Sequence, residues 1–323
     1  MTTPTLRAWP ALACAAGLAG LAACSSDAGK PRERTVELHE SVKIAVPPGT
    51  RGVRLWIPKP PNSPTQSAEL IAVESSLPYR VTIEPEFGNE TVFIQARAPI
   101  GRSLEARLRY RITRRTAASF QEDRESSPLN LTPRGLLVVN DEIRKIALRQ
   151  TENLSDPLEK GRALYRYVLQ RMSYDKSGQG WGRGDSVFAC RVGKGNCTDF
   201  HSLFMALAMA SGIPSRFHMG IAVPAAPAGA LTGYHCWSEF RAKGSWIPVD
   251  ISEAWKNPGL ADFYFGQLDA NRIQVSAGRE IRLSPPQKGP RIHFLYRPYA
   301  EADGKPLYEI EFVRSFRNVG RAA

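Results

Sequence analysis

The chain has 323 residues, 42% of them hydrophobic and 23% charged. That is room for two compact domains and too apolar for a disordered polymer. Its one apolar run near membrane length, Ala11 to Ala23, falls short of the roughly 20 residues of a spanning helix, which argues against a polytopic membrane protein. A net charge of +12 suits a nucleic acid, an anionic membrane surface or the cell envelope alike. Five cysteines are too few for a disulfide-built fold and too scattered for a zinc-ribbon array, so no metal or other cofactor is expected.

At the N-terminus, Arg7 supplies a weakly positive region, Leu12 to Leu21 an Ala/Leu/Gly stretch, and Leu21-Ala22-Ala23-Cys24 a small-residue end. This run resembles a bacterial lipoprotein signal. The resemblance implies cleavage of residues 1–23, lipidation of Cys24 and a lipid-anchored protein facing the periplasm. An ordinary secretory signal cut after Ala22 or Ala23 is the alternative. Either implies export, and an exported protein does not meet the genome, so nucleic acid drops out as a partner. Ser25 stands where the lipoprotein rules place aspartate for inner-membrane retention, which favours the outer membrane. The rest of residues 24–34 is polar and reads as a tether.

From Thr35 to about Arg115 the pattern alternates with period two between turn clusters. Val36–Leu38, Val42–Val46, Val53–Ile57, Tyr79–Ile83, Thr91–Ala96 and Leu104–Ile112 are the strand candidates. Short strands at this spacing predict a β-sandwich-like domain over residues 35–130. After Pro133 the period becomes helical, with helices over Asp141–Thr151 and Pro157–Met172, the second capped by Asp156 with Pro157 at its first position. Tyr174–Lys194 is rich in Gly, Arg and Asp and reads as a long loop of the kind that is functional or disordered.

The segment Gly195-Asn196-Cys197-Thr198-Asp199-Phe200-His201 opens a helix that ends near Ser211, before Gly212 and Pro214. Asn196 and Asp199 are spaced as a capping box, and Phe200, Leu203, Phe204, Leu207 and Ala208 give it a wide apolar face. Cys197 falls in the first turn, where unpaired amides favour a thiolate and can stabilise an oxyanion. Downstream, Tyr234–Phe240 and Trp246–Asp250 read as paired strands. A two-residue turn at Lys243-Gly244 sets Asp250 across from Trp237 and places His235 on the same face as a diagonal neighbour. A carboxylate there orients an imidazole and leaves its other nitrogen for a thiol.

The stretches GNCTDFHSLFMALAMASGIPSRF, YHCWSEF and WIPVDISEA, with 38 residues from Cys197 to His235 and 15 from there to Asp250, resemble the three motifs of the transglutaminase-like superfamily. The resemblance spans roughly residues 140–300. Phe263–Gly266 and Asp269–Arg272 are similar to a bacterial subfamily in which a β domain precedes the core. The implied fold is α+β. A β-sandwich-like domain is followed by a papain-like core over residues 135–323, C-terminal extension included, with the nucleophile at a helix N-terminus packed on an antiparallel sheet. By position, the resemblance makes Cys197 the nucleophile, His235 the general base and acid, and Asp250 the orienting carboxylate. Trp181 and Tyr174 are candidates for a second oxyanion donor. The implied partner is a peptide or protein amide in the envelope, and the reaction that of a peptidase, amidase or transamidase. A binding or scaffolding lipoprotein that keeps the fold without turnover is the alternative.

Strand alternation turns Cys236 away from the His235 face, so Cys190 and Cys236 form a candidate disulfide in an oxidising envelope, with Cys190–Cys197 as the rival bridge. His201 is expected to point to a different part of the helix surface from Cys197. Glu239 reads as a solvated strand residue, Arg183 and Arg191 as solubilising loop charges, and His39 and His293 as ordinary residues. Tyr174–Lys194 and Val223–Gly233 are the loops expected to set specificity.

Overall fold

A computed structural model describes residues 32–98, 100–116, 121–122 and 127–320. The signal, its cleavage site and Cys24 lie outside these residues. The N-terminal strands are β1 (Glu33–Ala45), β2 (Gly52–Lys59), β3 (Gln66–Ser75), β4 (Tyr79–Ile83), β5 (Glu90–Arg97) and β6 (Ser103–Arg115). In β6 Leu104, Ala106, Leu108, Tyr110 and Ile112 are buried while the arginines and glutamate between them are exposed, as period two requires. Two apolar runs expected in the first segment are one strand. Glu40 lies between them in the inward phase, buried, and the Arg314 guanidinium donates to it at 2.6 Å, so the ladder passes through a charge that the sequence shows as a break. Strand β3 has no candidate in the sequence pattern, because a bulge at Leu70/Ala72 shifts its phase.

The remaining elements begin with β7 (Gln121–Glu122), α1 (Asp141–Thr151), α2 (Pro157–Arg171), β8 (Ser173–Tyr174), α3 (Ser186–Val192), β9 (Lys194–Gly195) and α4 (Cys197–Ala210). They continue with β10 (Ser215–Ala222), β11 (Ala228–Ala230), β12 (His235–Ala242), β13 (Ser245–Val249), α5 (Ile251–Lys256) and β14 (Arg272–Ala277). The last are β15 (Tyr299–Ala302), β16 (Lys305–Leu307) and β17 (Ile310–Asn318). Three antiparallel sheets result, ordered β11-β17-β1-β6-β3, β16-β15-β2-β5-β4 and β14-β10-β12-β13-β7. The first two bury their apolar faces together, with Leu38, Val42, Ile44, Leu108 and Tyr110 in one core with Val53, Leu55, Ile57, Val92 and Ile94. The C-terminal extension does not stay with the core. β17 pairs with β1 and β15 with β2, which covers strand edges that would otherwise carry unpaired backbone groups.

The third sheet carries the core domain. Helix α4 is buried from Cys197 to Met209 and lies on one sheet face, its Phe204 ring edge-on to Phe240 at 5.8 Å. The expected loop 174–194 contains α3, capped by Asp185, which accepts from the Val187 and Phe188 amides, and closed by Gly193 at φ 68°. The Gly-rich composition hid that cap pair. Likewise, β11 within the expected loop 223–233 adds to the sandwich by pairing with β17. The sandwich docks on β14 through two side-chain amides. Gln66 accepts from Gln274 N at 2.7 Å and donates to its carbonyl at 3.0 Å. Asn89 does the same at Ala277, at 2.7 and 2.8 Å. Each amide satisfies a backbone pair at the edge of the core sheet, as a neighbouring strand would.

Candidate active site

The start of α4 is built by its cap. Asn196 Oδ1 accepts from the Thr198 amide at 3.0 Å, and Asp199 Oδ2 accepts from the Asn196 amide at 2.9 Å. The Cys197 amide is therefore the first-turn donor left at the thiol. Asp199 also takes the amides of Gly182 at 2.6 Å and Gly184 at 3.0 Å, pinning the 181–184 backbone beside the helix. Gly195 has no room for a side chain, since a Cβ there would lie 2.3 Å from Asp199 Oδ2.

The β12–β13 hairpin turns at Lys243-Gly244, both at positive φ, and pairs Ser238 with Val249, the register that a two-residue turn predicts. Asp250 then leaves the sheet as the N-cap of α5. Its Oδ1 accepts from the Glu253 amide at 3.1 Å, and its Oδ2 is 2.6 Å from His235 Nε2 and 2.7 Å from Arg272 Nη1. One carboxylate thus caps a helix, orients an imidazole and pairs with a guanidinium. His235 uses Nε2 for Asp250, which leaves Nδ1 as the ring nitrogen free to serve the Cys197 thiol, a neighbour close enough to raise the imidazole's pKa.

Cys197, His235 and Asp250 are all buried. The Cys197 thiol is held well below its ordinary value by a hydrogen bond from Cys236 and, against the effect of burial, by His235. Burial works against charge on His235 too, but the Asp250 carboxylate and the thiol outweigh it and raise the imidazole to about 10. Asp250 is held well below the usual carboxylate range, His235 and Arg272 overcoming its desolvation. The site therefore holds a thiolate and an imidazolium near neutral pH.

Cys190, Cys197 and Cys236 are free thiols, so the structure has neither expected bridge. Cys190 is on α3, whereas Cys236 packs in the α4 core with its Sγ 3.7 Å from His201 Nδ1. Alternation does separate Cys236 from His235, yet a thiol at the helix start, beside the strand end, is reached by both. Burial and the neighbouring thiolate push the Cys236 thiol well up, so the pair shares one negative charge, carried on Cys197. His201 also departs from expectation. Four residues make one helical turn, and its Nδ1 lies 2.7 Å from the Cys197 carbonyl while its Nε2 accepts from the Ile251 amide at 3.1 Å. Both ring nitrogens are occupied, and burial lowers its pKa, so His201 is a neutral brace between α4 and the start of α5.

Tyr174 packs against Phe200 at 6.2 Å and Trp255 at 6.4 Å, within electrostatic reach of Cys197. Trp181 is half-buried on the pinned 181–184 segment, with Lys176 5.9 Å from its ring. Tyr234 is nearer the helix start, its hydroxyl accepting from Asn196 Nδ2 at 2.9 Å. Arg272 and Tyr234 have no assigned role in the sequence, and Cys236 and His201 have other ones there, a candidate disulfide and a helix residue on a different part of the surface from Cys197. The Asp269–Arg272 spacing was the one signal for Arg272, whose Nη2 binds Asp269 at 3.2 Å. Glu239 is neither solvated nor at the thiol, since it pairs with Arg216 at 2.6 Å and His218 at 3.2 Å. Arg183 is exposed, Arg191 faces Glu142 at 3.6 Å, and His39 and His293 sit 3.7 and 2.5 Å from Glu37 and Glu280.

Fold and motif order define a transglutaminase-like core. Residues 144–251 match the family model of the transglutaminase-like superfamily, so this part of the chain is a transglutaminase-like domain. An uncharacterized protein of Haemophilus influenzae is 28% identical over 324 residues, covering 84% of this chain and 86% of its own length. The structure of a candidate cysteine protease from Cytophaga hutchinsonii superposes with a TM-score of 0.55 at 13% identity, over 90% of this chain and 99% of that one, so the two share a fold across both domains. The periplasmic domain of TgpA from Pseudomonas aeruginosa aligns at a TM-score of 0.37 and 17% identity, over 74% of this chain and 94% of its own.

Proposed function

We propose that the protein is a cysteine-dependent amide hydrolase or acyltransferase, anchored by lipid at Cys24 to an envelope membrane, the outer one favoured, and acting on peptide or protein amides. The observation that supports it is the Asp250–His235 hydrogen bond at 2.6 Å, next to a thiol at a helix N-terminus that is electrostatically coupled to that imidazole. The Cys197 thiolate attacks the amide carbonyl, and the carbonyl oxygen develops its negative charge beside the Cys197 amide. The His235 imidazolium gives its proton to the leaving nitrogen, the C–N bond breaks, and a thioester remains on Cys197. Neutral His235 then takes a proton from water, giving hydrolysis, or from a primary amine, giving transamidation. Asp250 keeps Nε2 protonated so that Nδ1 faces the sulfur.

The reading is tested by alkylation with iodoacetamide in the wild type and in His235→Ala. Cys197 is expected to react faster than an ordinary thiol at neutral pH and to lose that advantage without His235. Equal rates in the two proteins refute catalysis and leave the binding-protein alternative. Adding a fluorescent primary amine to an acyl donor separates the reactions: a covalent amine adduct marks transfer, free acid alone marks hydrolysis.

A further inference from the structure

A cavity lies away from the thiol. A space of 540 Å³ opens between the sandwich loops at 61–65 and 86–89 and the core sheet. It lies on the sheet face opposite the one that Phe217, Phe240 and Ile247 turn to α4. Its volume is that of a small-molecule site. Arg114 of β6 lines it, 3% exposed, with no hydrogen-bond partner for Nε or Nη1 and no acidic group within 4.0 Å among the described residues. Its guanidinium lies 5.7 Å from the Trp237 ring, which also carries Arg272 at 5.3 Å. Burial and that second cation lower its pKa to about 10, against the pull of the Glu239 and Asp269 carboxylates, which leaves it charged at neutral pH.

The carboxylates lining the cavity are committed elsewhere. Glu239 is held by Arg216 and His218, and Glu86 by Arg134 and Arg291 at 2.6 and 2.9 Å. A buried guanidinium whose N–H donors are left without acceptors is a costly arrangement in a folded protein. The same walls hold Ser63 Oγ, His218 Nδ1 and Trp246 Nε1, all buried and without hydrogen-bond partners. They alternate with the apolar surfaces of Phe87, Trp246 and Pro248. A ligand that complements these walls carries a carboxylate, hydrogen-bonding groups and small apolar parts. We infer that this cavity is a second binding site, separate from Cys197, for a short peptide whose carboxylate pairs with Arg114.

Calorimetry on the purified full-length chain tests it, with N-acetyl-Ala-Ala as the probe and its C-terminal amide as the neutral control. The acid is expected to bind about tenfold or more tightly than the amide, as a charge-assisted pair requires. Arg114→Gln should reduce the acid to the affinity of the amide, while His235→Ala leaves both unchanged. N-acetyl-Ala-Glu-amide separates a chain terminus from an acidic side chain as the source of the carboxylate, and tighter binding of either acid supports the site. Equal binding of acid and amide, or no binding at millimolar peptide, overturns it. So does binding lost in His235→Ala but kept in Arg114→Gln, or equally tight binding of inorganic phosphate. Because Arg114→Gln can misfold, the comparison of acid with amide on the wild type decides alone.

Discussion

Strand β12 carries two buried polar clusters a few residues apart, and they are built on opposite principles. At His235 every charge has a counter-charge: thiolate against imidazolium, imidazolium against Asp250, Asp250 against Arg272. At Glu239 the carboxylate is held by Arg216 and His218, while Arg114 nearby has no ion pair within 4.0 Å among the described residues and no acceptor for Nε or Nη1. The first cluster is complete before substrate arrives, as a site that holds a reactive ion must be. The second is complete only with something added. Trp237 separates them, with Arg114 and Arg272 both 5–6 Å from its ring.

Removing one charge from the completed cluster should have the largest effect. Asp250→Asn keeps the shape but cannot favour the tautomer that leaves Nδ1 facing the sulfur, and hydrolysis of a fluorogenic peptide amide is expected to fall by about 10³–10⁴-fold. A fall below tenfold would mean that Arg272 and the helix start suffice to hold the ion pair. Arg272→Met acts on the same carboxylate from the other side. It breaks a pair in which both partners are almost fully buried, and should cost about 3 kcal/mol of stability in urea denaturation. Arg114→Met, removing a buried cation whose Nε and Nη1 have no acceptor, should cost less or stabilise. Equal losses in the two variants would erase the distinction between the clusters.

The parts of this site legible in the sequence are those fixed within a few residues. The Asn196–Asp199 cap, the Lys243-Gly244 turn and the register that follows from it are local geometry, and so is period two in β6. Charges that act across the fold were not legible. Glu40 reads as a strand break until Arg314, 274 residues away, is seen to bind it. Arg272 reads as part of a motif without a role until Asp250 is folded against it. Cys236 follows its alternation and still meets Cys197, because the helix start stands at the end of the strand. Arg114 gives no signal beyond an inward phase, since its distinguishing property is a partner that it lacks.

Titration sharpens the comparison, because the thiolate–imidazolium pair changes stability with pH only outside a window. The raised pKa of His235 contributes stability that is full below 6.5 and is lost as pH rises towards about 10. The depressed pKa of Cys197 contributes stability that is present above 9.0 and is lost as pH falls. Between 6.5 and 9.0 the folded pair and the unfolded pair each bind one proton, so the two slopes cancel. Thermal midpoints of the wild type should therefore be flat in this cluster's contribution from pH 6.5 to 9.0 and decline above it. In Cys197→Ser the His235 slope is uncompensated, so the decline begins near pH 6.5. Parallel curves for the two proteins would show that the site holds a neutral thiol and a neutral imidazole.

The smallest expected effect lies at the tip of the β12–β13 hairpin, away from both clusters. Gly244 has φ 77° and open space where a Cβ would go, so Gly244→Ala meets backbone strain alone. It should cost about 1 kcal/mol, read from the urea midpoint. The register is held along the whole hairpin by the pairs from Ser238–Val249 to Ala242–Ser245, so the strained turn should leave His235 and Asp250 in place and the rate of Cys197 alkylation unchanged. A slowed alkylation in this variant would mean that the turn, and not the ladder, fixes the distance between imidazole and carboxylate.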